Sequence, residues 1–181
     1  ITSGDGMNNF TKDYGGLKYG GRIDFLPFGL FTNMGQFRQA DVMRERSLKL
    51  VVGFNYSFNN GISSRRGREG GQILYLDSLG NESLPDFIKM GADLMLKYKG
   101  FSLLGEYQST TSIVPDNITQ RVRNNGTTSP SFIINGEENI ENYINNRMML
   151  GSAYNLQLGY MFKNMFSWDA RYTHIESDEF S

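Results

Sequence analysis

Charged side chains recur two positions apart in several stretches of this chain. Arg22 and Asp24 flank Ile23, and Asp169 and Arg171 flank Ala170. Lys18, Lys49, Lys89, Asp93, Lys97 and Glu106 each stand beside an apolar or glycine neighbour in the same kind of stretch. The chemistry open to such a set is ionic rather than covalent: fixed charges facing water decide which small ions concentrate beside them. Six cations against four carboxylates leave an excess too small for a dense anion-binding ladder. The spacing predicts wall residues, with Arg22 beside Asp24 and Asp169 beside Arg171 in a charge network across a water-filled interior. Ordinary solvated or paired surface charges are the alternative. A second basic group, Arg65, Arg66 and Arg68, sits in "SSRRGREGG". Guanidinium groups bind phosphates, so lipopolysaccharide phosphates or substrate anions would suit it; a solvated loop is the alternative.

Covalent chemistry finds little to work with. Cysteine is absent, which removes thiol catalysis, disulfides and cysteine metal sites. His174 is the single histidine, so a two-histidine zinc site is excluded. A Ser-His-Asp arrangement with a neighbouring serine is formally open, but no G-x-S-x-G elbow is present. No glycine pair is followed by the Lys-Ser/Thr of a phosphate loop. Asn81, Glu82 and Asp86, or Glu137, Glu138 and Glu141, offer oxygens for Ca²⁺ but match no known loop spacing. A net charge of −1 gives no bulk case for nucleic acid. The expectation is a protein that is not an enzyme, with no catalytic residue, no metal and no cofactor.

The elements that must carry the charges are strands. In Ser47 to Phe58, Leu48, Leu50, Val52, Phe54, Tyr56 and Phe58 alternate with Lys49, Val51, Gly53, Asn55 and Ser57. Period-2 alternation predicts one apolar and one polar face. Five more stretches read alike: 17–26, 86–98, 101–109, 148–162 and 166–175, with Leu104 interrupting the polar side of its own. Lys99-Gly100 and Lys163 to Met165 are hairpin-length links. About 59–85 and 110–147 are long polar connections of a kind uncommon inside compact soluble domains. Residues 27–47 also form a long link, on the side where the turns are otherwise short; a short polar helix or an extended turn are both open there. No run of about 18 apolar residues exists, so no transmembrane helix is available.

Two architectures fit. One is a soluble sandwich or barrel with a wet face. The other is an all-β, antiparallel transmembrane barrel, whose strands alternate and so dilute their hydropathy; mean hydropathy is −0.43. The second is favoured. Short turns oppose long loops, aromatics (Tyr19, Phe58, Tyr98, Phe101, Tyr160, Phe162, Phe166, Tyr172) cluster near strand ends, and mid-strand charges would be costly in a dry core.

The chain also resembles the phosphate-selective porin O and P family of Gram-negative outer membranes, especially its Bacteroidetes members. The resemblance rests on "GGRIDFLPFG", "ADVMRERSLKLVVGFNYSFNN", "GADLMLKYKGFSLLGEY", "LQLGYMF" and "DARYTHIE", in order along the chain. It implies a single outer-membrane barrel domain of about sixteen strands, of which 1–181 would supply about six as an internal piece. It further implies a homotrimer in the bacterial outer membrane, in contact with outer-membrane lipid and lipopolysaccharide, passing small solutes or anions such as phosphate by passive diffusion. The alternative function is a non-conducting barrel that anchors or partners surface machinery. Phosphate selectivity is not carried over, because the lining candidates Arg22, Asp24, Lys49, Lys89, Asp93, Lys97, Glu106, Asp169 and Arg171 are of mixed sign.

Overall fold

The computed structural model describes residues 1–3, 15–62, 74–123 and 125–178. Six long strands dominate it: β1 (Leu17–Phe25), β2 (Lys49–Asn59), β3 (Asp86–Tyr98), β4 (Phe101–Ile113), β5 (Gly151–Met161) and β6 (Ser167–Ser177). They form one antiparallel meander in chain order, with Thr2–Ser3 added on the far side of β1. The class is all-β, as the alternation requires. The sheet is open among the described residues: every residue of β1 and β6 is exposed, so both edges are bare of packing.

Strand ends follow local chemistry. Tyr98 pairs with Phe101 across Lys99-Gly100, and both turn residues have positive φ (49° and 99°). That is the twist a two-residue hairpin needs, and glycine adopts it without strain. β4 runs on to Ile113, past the expected end at Ser109. Thr110, Thr111 and Ser112 hide a strand because they are polar, yet threonine suits an extended chain and the ladder to β3 holds them. β5 starts at Gly151 rather than Met148, because Met148 and Leu150 are buried in a loop core instead.

The register sorts side chains onto two faces. One face reads Tyr98–Phe101–Tyr160–Trp168 at the short-turn end, then Leu50–Leu96–Leu103–Leu158–Ala170, then Phe25–Val52–Leu94–Gly105–Leu156–Tyr172, then Ile23–Phe54–Ala92–Tyr107–Tyr154–His174. Its carboxylates and histidine stand towards the long-loop end: Asp86, His174 and Glu176. The other face carries the charges and amides. Burial is inverted relative to a soluble sheet: Ile23, Phe54 and Trp168 are 75%, 59% and 58% exposed, whereas Lys97 and Ser102 on the polar face are 1% and 5% exposed.

Two covers account for that inversion. At the short-turn end, residues 26–48 fold back over the polar face through 3-10 turns at Thr32–Phe37 and then irregular turns over 38–48, where the polar helix does not form. Phe31 seats on Val51 and Met95, with Leu26 and Leu104 packed alongside. Val51, Met95 and Leu104 lie in one cross-strand row. The apparent errors in the polar alternation are therefore a dry landing strip for this segment. At the other end, the two long connections build a second core from Tyr75, Leu84, Ile118, Phe132, Tyr143, Ile144, Met148 and Leu150, with Phe87 of the polar face packed against it. Helix α1 (Ile140–Asn145), capped by the Asn139 side chain, belongs to this cover, and Ser112 Oγ ties the sheet to Asn145 Oδ1 at 2.6 Å.

Candidate functional site

Between the two covers, the polar face holds a belt of charges and amides. Its central row runs Asp24–Gly53–Asp93–Glu106–Asn155–Thr173 across the strands, and the next row begins Arg22–Asn55–Gly91–Gln108. Arg22 reaches over β2 to Asp93: Nη1 donates to Oδ2 at 2.6 Å and Nη2 to Oδ1 at 2.8 Å. Nη2 also lies 2.7 Å from Asp24 Oδ1. The crossing is possible because Gly53 stands below; a Cβ there would lie 2.8 Å from Arg22 Cζ and 2.7 Å from Asp24 Oδ1. One cation is thus shared by two carboxylates, and the trio keeps a net negative charge. Glu106, directly opposite Asp93, accepts from Asn155 Nδ2 at 2.8 Å.

The other expected pair does not form. Arg171 donates from Nε and Nη2 to Gln157 Oε1 at 3.0 and 2.6 Å, and Nη2 reaches Gln39 Oε1 at 3.3 Å. It reaches its own cross-strand partner on β5 and up to the folded-back segment, rather than along its own strand to Asp169. Asp169 lies over Gly159, near Ser102. Lys89 is exposed on the polar face between Ser57 and Thr110. Lys49 Nζ is spent on the Phe28 carbonyl at 2.9 Å, at the rim.

Lys97 stands on the polar face yet lines no open space. Its ammonium donates to the carbonyls of Gly35, Arg38 and Ala40 at 2.7, 2.5 and 2.9 Å, which uses all three of its protons. Asp41 and Glu45 border the same small void. Asp41 accepts from Gly100 N at 2.7 Å and from Glu45 N at 3.0 Å. Glu45 accepts from Thr32 N at 2.6 Å and Thr32 Oγ1 at 2.9 Å. Arg44 donates to the Met161 carbonyl. One buried cation among two buried carboxylates, each with hydrogen-bond partners, is tolerable; removing one member of such a set costs about 3–5 kcal/mol. By pattern alone Lys97 looks like any other polar-face cation. Its three acceptors come from residues about sixty positions away, so only the tertiary structure marks it as an anchor.

The remaining candidates scatter. His174 faces the apolar side, its ring 5.1 Å from that of Tyr154. Arg65, Arg66 and Arg68 lie outside the described residues. Asp86 accepts from Gly61 N at 2.8 Å, and Glu138 accepts from Phe132 N; among the described residues no group of three or more carboxylates and histidines is close enough to hold a metal. In the cover at the long-loop end, the guanidinium groups of Arg121 and Arg147 lie 4.8 and 4.5 Å from the ring centre of Tyr143.

Comparison with known proteins adds no identification. No family model matches this chain, and neither a curated protein nor a solved structure matches it significantly.

Proposed function

We propose that this sheet is part of the wall of an outer-membrane β-barrel porin, with the apolar face towards lipid and the polar belt towards a water-filled lumen through which small hydrophilic solutes diffuse. The observation that carries the reading is the inversion of burial. A contiguous, largely uncharged apolar face stands exposed while the covered face is polar, whereas soluble monomers rarely expose apolar patches beyond a few hundred Å².

The slant of that face supports the same reading. At the long-loop end the last outward aromatic is Tyr19 on β1 but Tyr154 on β5, in rows four residues apart. At the short-turn end the apolar face stops at Phe25 on β1 and runs to Phe162 beyond β5, six residues past the row of Phe25. A slip of about 1 to 1.5 residues per strand, at ~3.3 Å per residue and ~4.8 Å between strands, sets the strands at about 35–45° to the belt's normal. That is the tilt of outer-membrane barrel strands. Along β3 the belt from Ile88 to Tyr98 is ~33 Å of strand, or about 25 Å of height at such a tilt, which suits the apolar band of these barrels.

An open edge does not survive in lipid, so the reading requires further strands to close the barrel. The family resemblance supplies the number, about sixteen, and a trimer. Phosphate selectivity finds no support in the belt, where Arg22 is already held by two carboxylates. A second reading, a non-conducting anchor, is favoured by the covers at both ends of the polar face. Single-channel recording of the complete protein in a planar bilayer under a KCl gradient separates the two: discrete current steps support the porin, and their absence from folded protein supports the anchor.

A further inference from the structure

We infer that residues 26–48 form the size-limiting constriction of the conduit at its short-turn mouth, and that Lys97 is the positioning residue that holds them there. The inference rests on the porin reading above and locates its narrowest part. The segment crosses the polar face from β2 to β6 and is tied to every strand between. Lys49 holds the Phe28 carbonyl. Phe31 sits on Val51 and Met95. Lys97 binds three carbonyls in succession. Arg44 reaches Met161 on β5, and Arg171 on β6 reaches Gln39.

Beneath it the wall is dry: Ser102, Gln157 and Met161 are buried. Away from these ties it exposes Met34 and Phe37, at 70% and 80%, with Arg38 exposed beside them. These project from the wall into the space a solute must cross. The turn is a fixed shape rather than a loose loop. Asn33 and Met34 both hold left-handed φ, 49° and 55°, a conformation that persists only where surrounding contacts over-determine it. Glu45 supplies such contacts through the N–H and hydroxyl of Thr32. Lys97 matters most because, among the described residues, no other single side chain gathers three backbone carbonyls of the segment. Without it these carbonyls, Asp41 and Glu45 lose their buried cation, and water must enter to solvate them.

The experiment uses the complete protein in planar bilayers. Phe37→Cys, an exposed and fold-neutral change, is treated with thiol reagents of increasing size. Modification should lower the unit current, more so for larger reagents. Lys97→Met should raise unit conductance at least about twofold and admit larger polyethylene glycols, as should replacement of residues 33–43 by a short Gly-Ser link. Met90→Leu, on the opposite, apolar face, should leave the size cut-off unchanged. Folding of each variant is checked by heat-modifiable gel mobility. If Lys97→Met does not fold, the thiol experiment decides alone. Failure of Phe37→Cys to react, or reaction without change in current, overturns the inference while channel steps from wild type keep the porin reading. Absence of steps from folded wild type overturns the porin reading, and the inference with it.

Discussion

Replacing Gly53 by alanine tests whether the polar belt is organised around Arg22. The added Cβ would stand 2.8 Å from Arg22 Cζ and 2.7 Å from Asp24 Oδ1, where ~3.5–4 Å is the ordinary carbon contact. The guanidinium must therefore lift by about 1 Å, which breaks the two bonds to Asp93 at 2.6 and 2.8 Å. The Arg22 side chain is 45% exposed and that of Asp93 18%, so the pair lies between the surface case of roughly 0.2–1 kcal/mol and a well-formed bidentate pair; about 1–2 kcal/mol is the reasonable range. Alanine in place of glycine within a strand returns roughly 0.5–1 kcal/mol. Gly53→Ala should then be neutral to mildly destabilising in wild type. In an Arg22→Ala background it should stabilise by roughly 0.5–1 kcal/mol, because the guanidinium is gone and the exposed Asp24 carboxylate, no longer held by it, can swing aside. The coupling from a double-mutant cycle should be about 1–2 kcal/mol. The assay is urea unfolding of the complete protein in lipid vesicles, followed by tryptophan emission. A coupling below about 0.3 kcal/mol, within the spread expected of independent sites, would show that Gly53 does not make room for the bridge.

Three further outcomes follow from the same geometry. If the apolar face meets lipid as proposed, Leu94→Arg on that face should destabilise the protein in vesicles by about 2–4 kcal/mol, whereas Ser57→Arg on the polar face should cost less than about 1 kcal/mol; vesicle unfolding compares them, and equal costs would refute the proposed assignment of faces. Phe132 is fully buried and stacks edge-on against Tyr143 at 5.4 Å, so Phe132→Ala should cost about 3–5 kcal/mol within the core of the long connections. It should appear as faster proteolysis in the long connections with strand unfolding unchanged. The Asp77 carboxyl is held below its ordinary range chiefly by the side-chain amide of Asn81, then by backbone N–H groups of Asn81 and Leu79. Because that value is lowered, the turn's stabilisation is fully present above the pKa of a free aspartate and is lost as pH falls through the folded value. Carboxyl NMR should show the depressed midpoint, and Asn81→Ala should raise it towards the ordinary value.

The six strands and their two faces were legible in the chain because the period of two is a local property: each residue's face follows from its neighbours' parity. β3 matches its expected bounds, Asp86 to Tyr98, at both ends. The side of the sheet taken by each connection also follows from antiparallel alternation alone. The polar tail of β4 was hidden because Thr110 to Ser112 owe their extension to the β3 ladder, not to any apolar pattern of their own.

The fate of each charge was not local. Lys49, Lys89 and Lys97 are indistinguishable by pattern, yet one holds a rim carbonyl, one stands exposed and one is buried under a distant segment. Arg22 chose a carboxylate two strands away because a glycine lies between, and Arg171 chose amides over the aspartate on its own strand. Val51, Met95 and Leu104 look like lapses in three separate alternations until register aligns them in one row beneath Phe31. Alternation decides which way a side chain points. What it meets there depends on register and on chain that returns from far along the sequence, and only the tertiary structure supplies both.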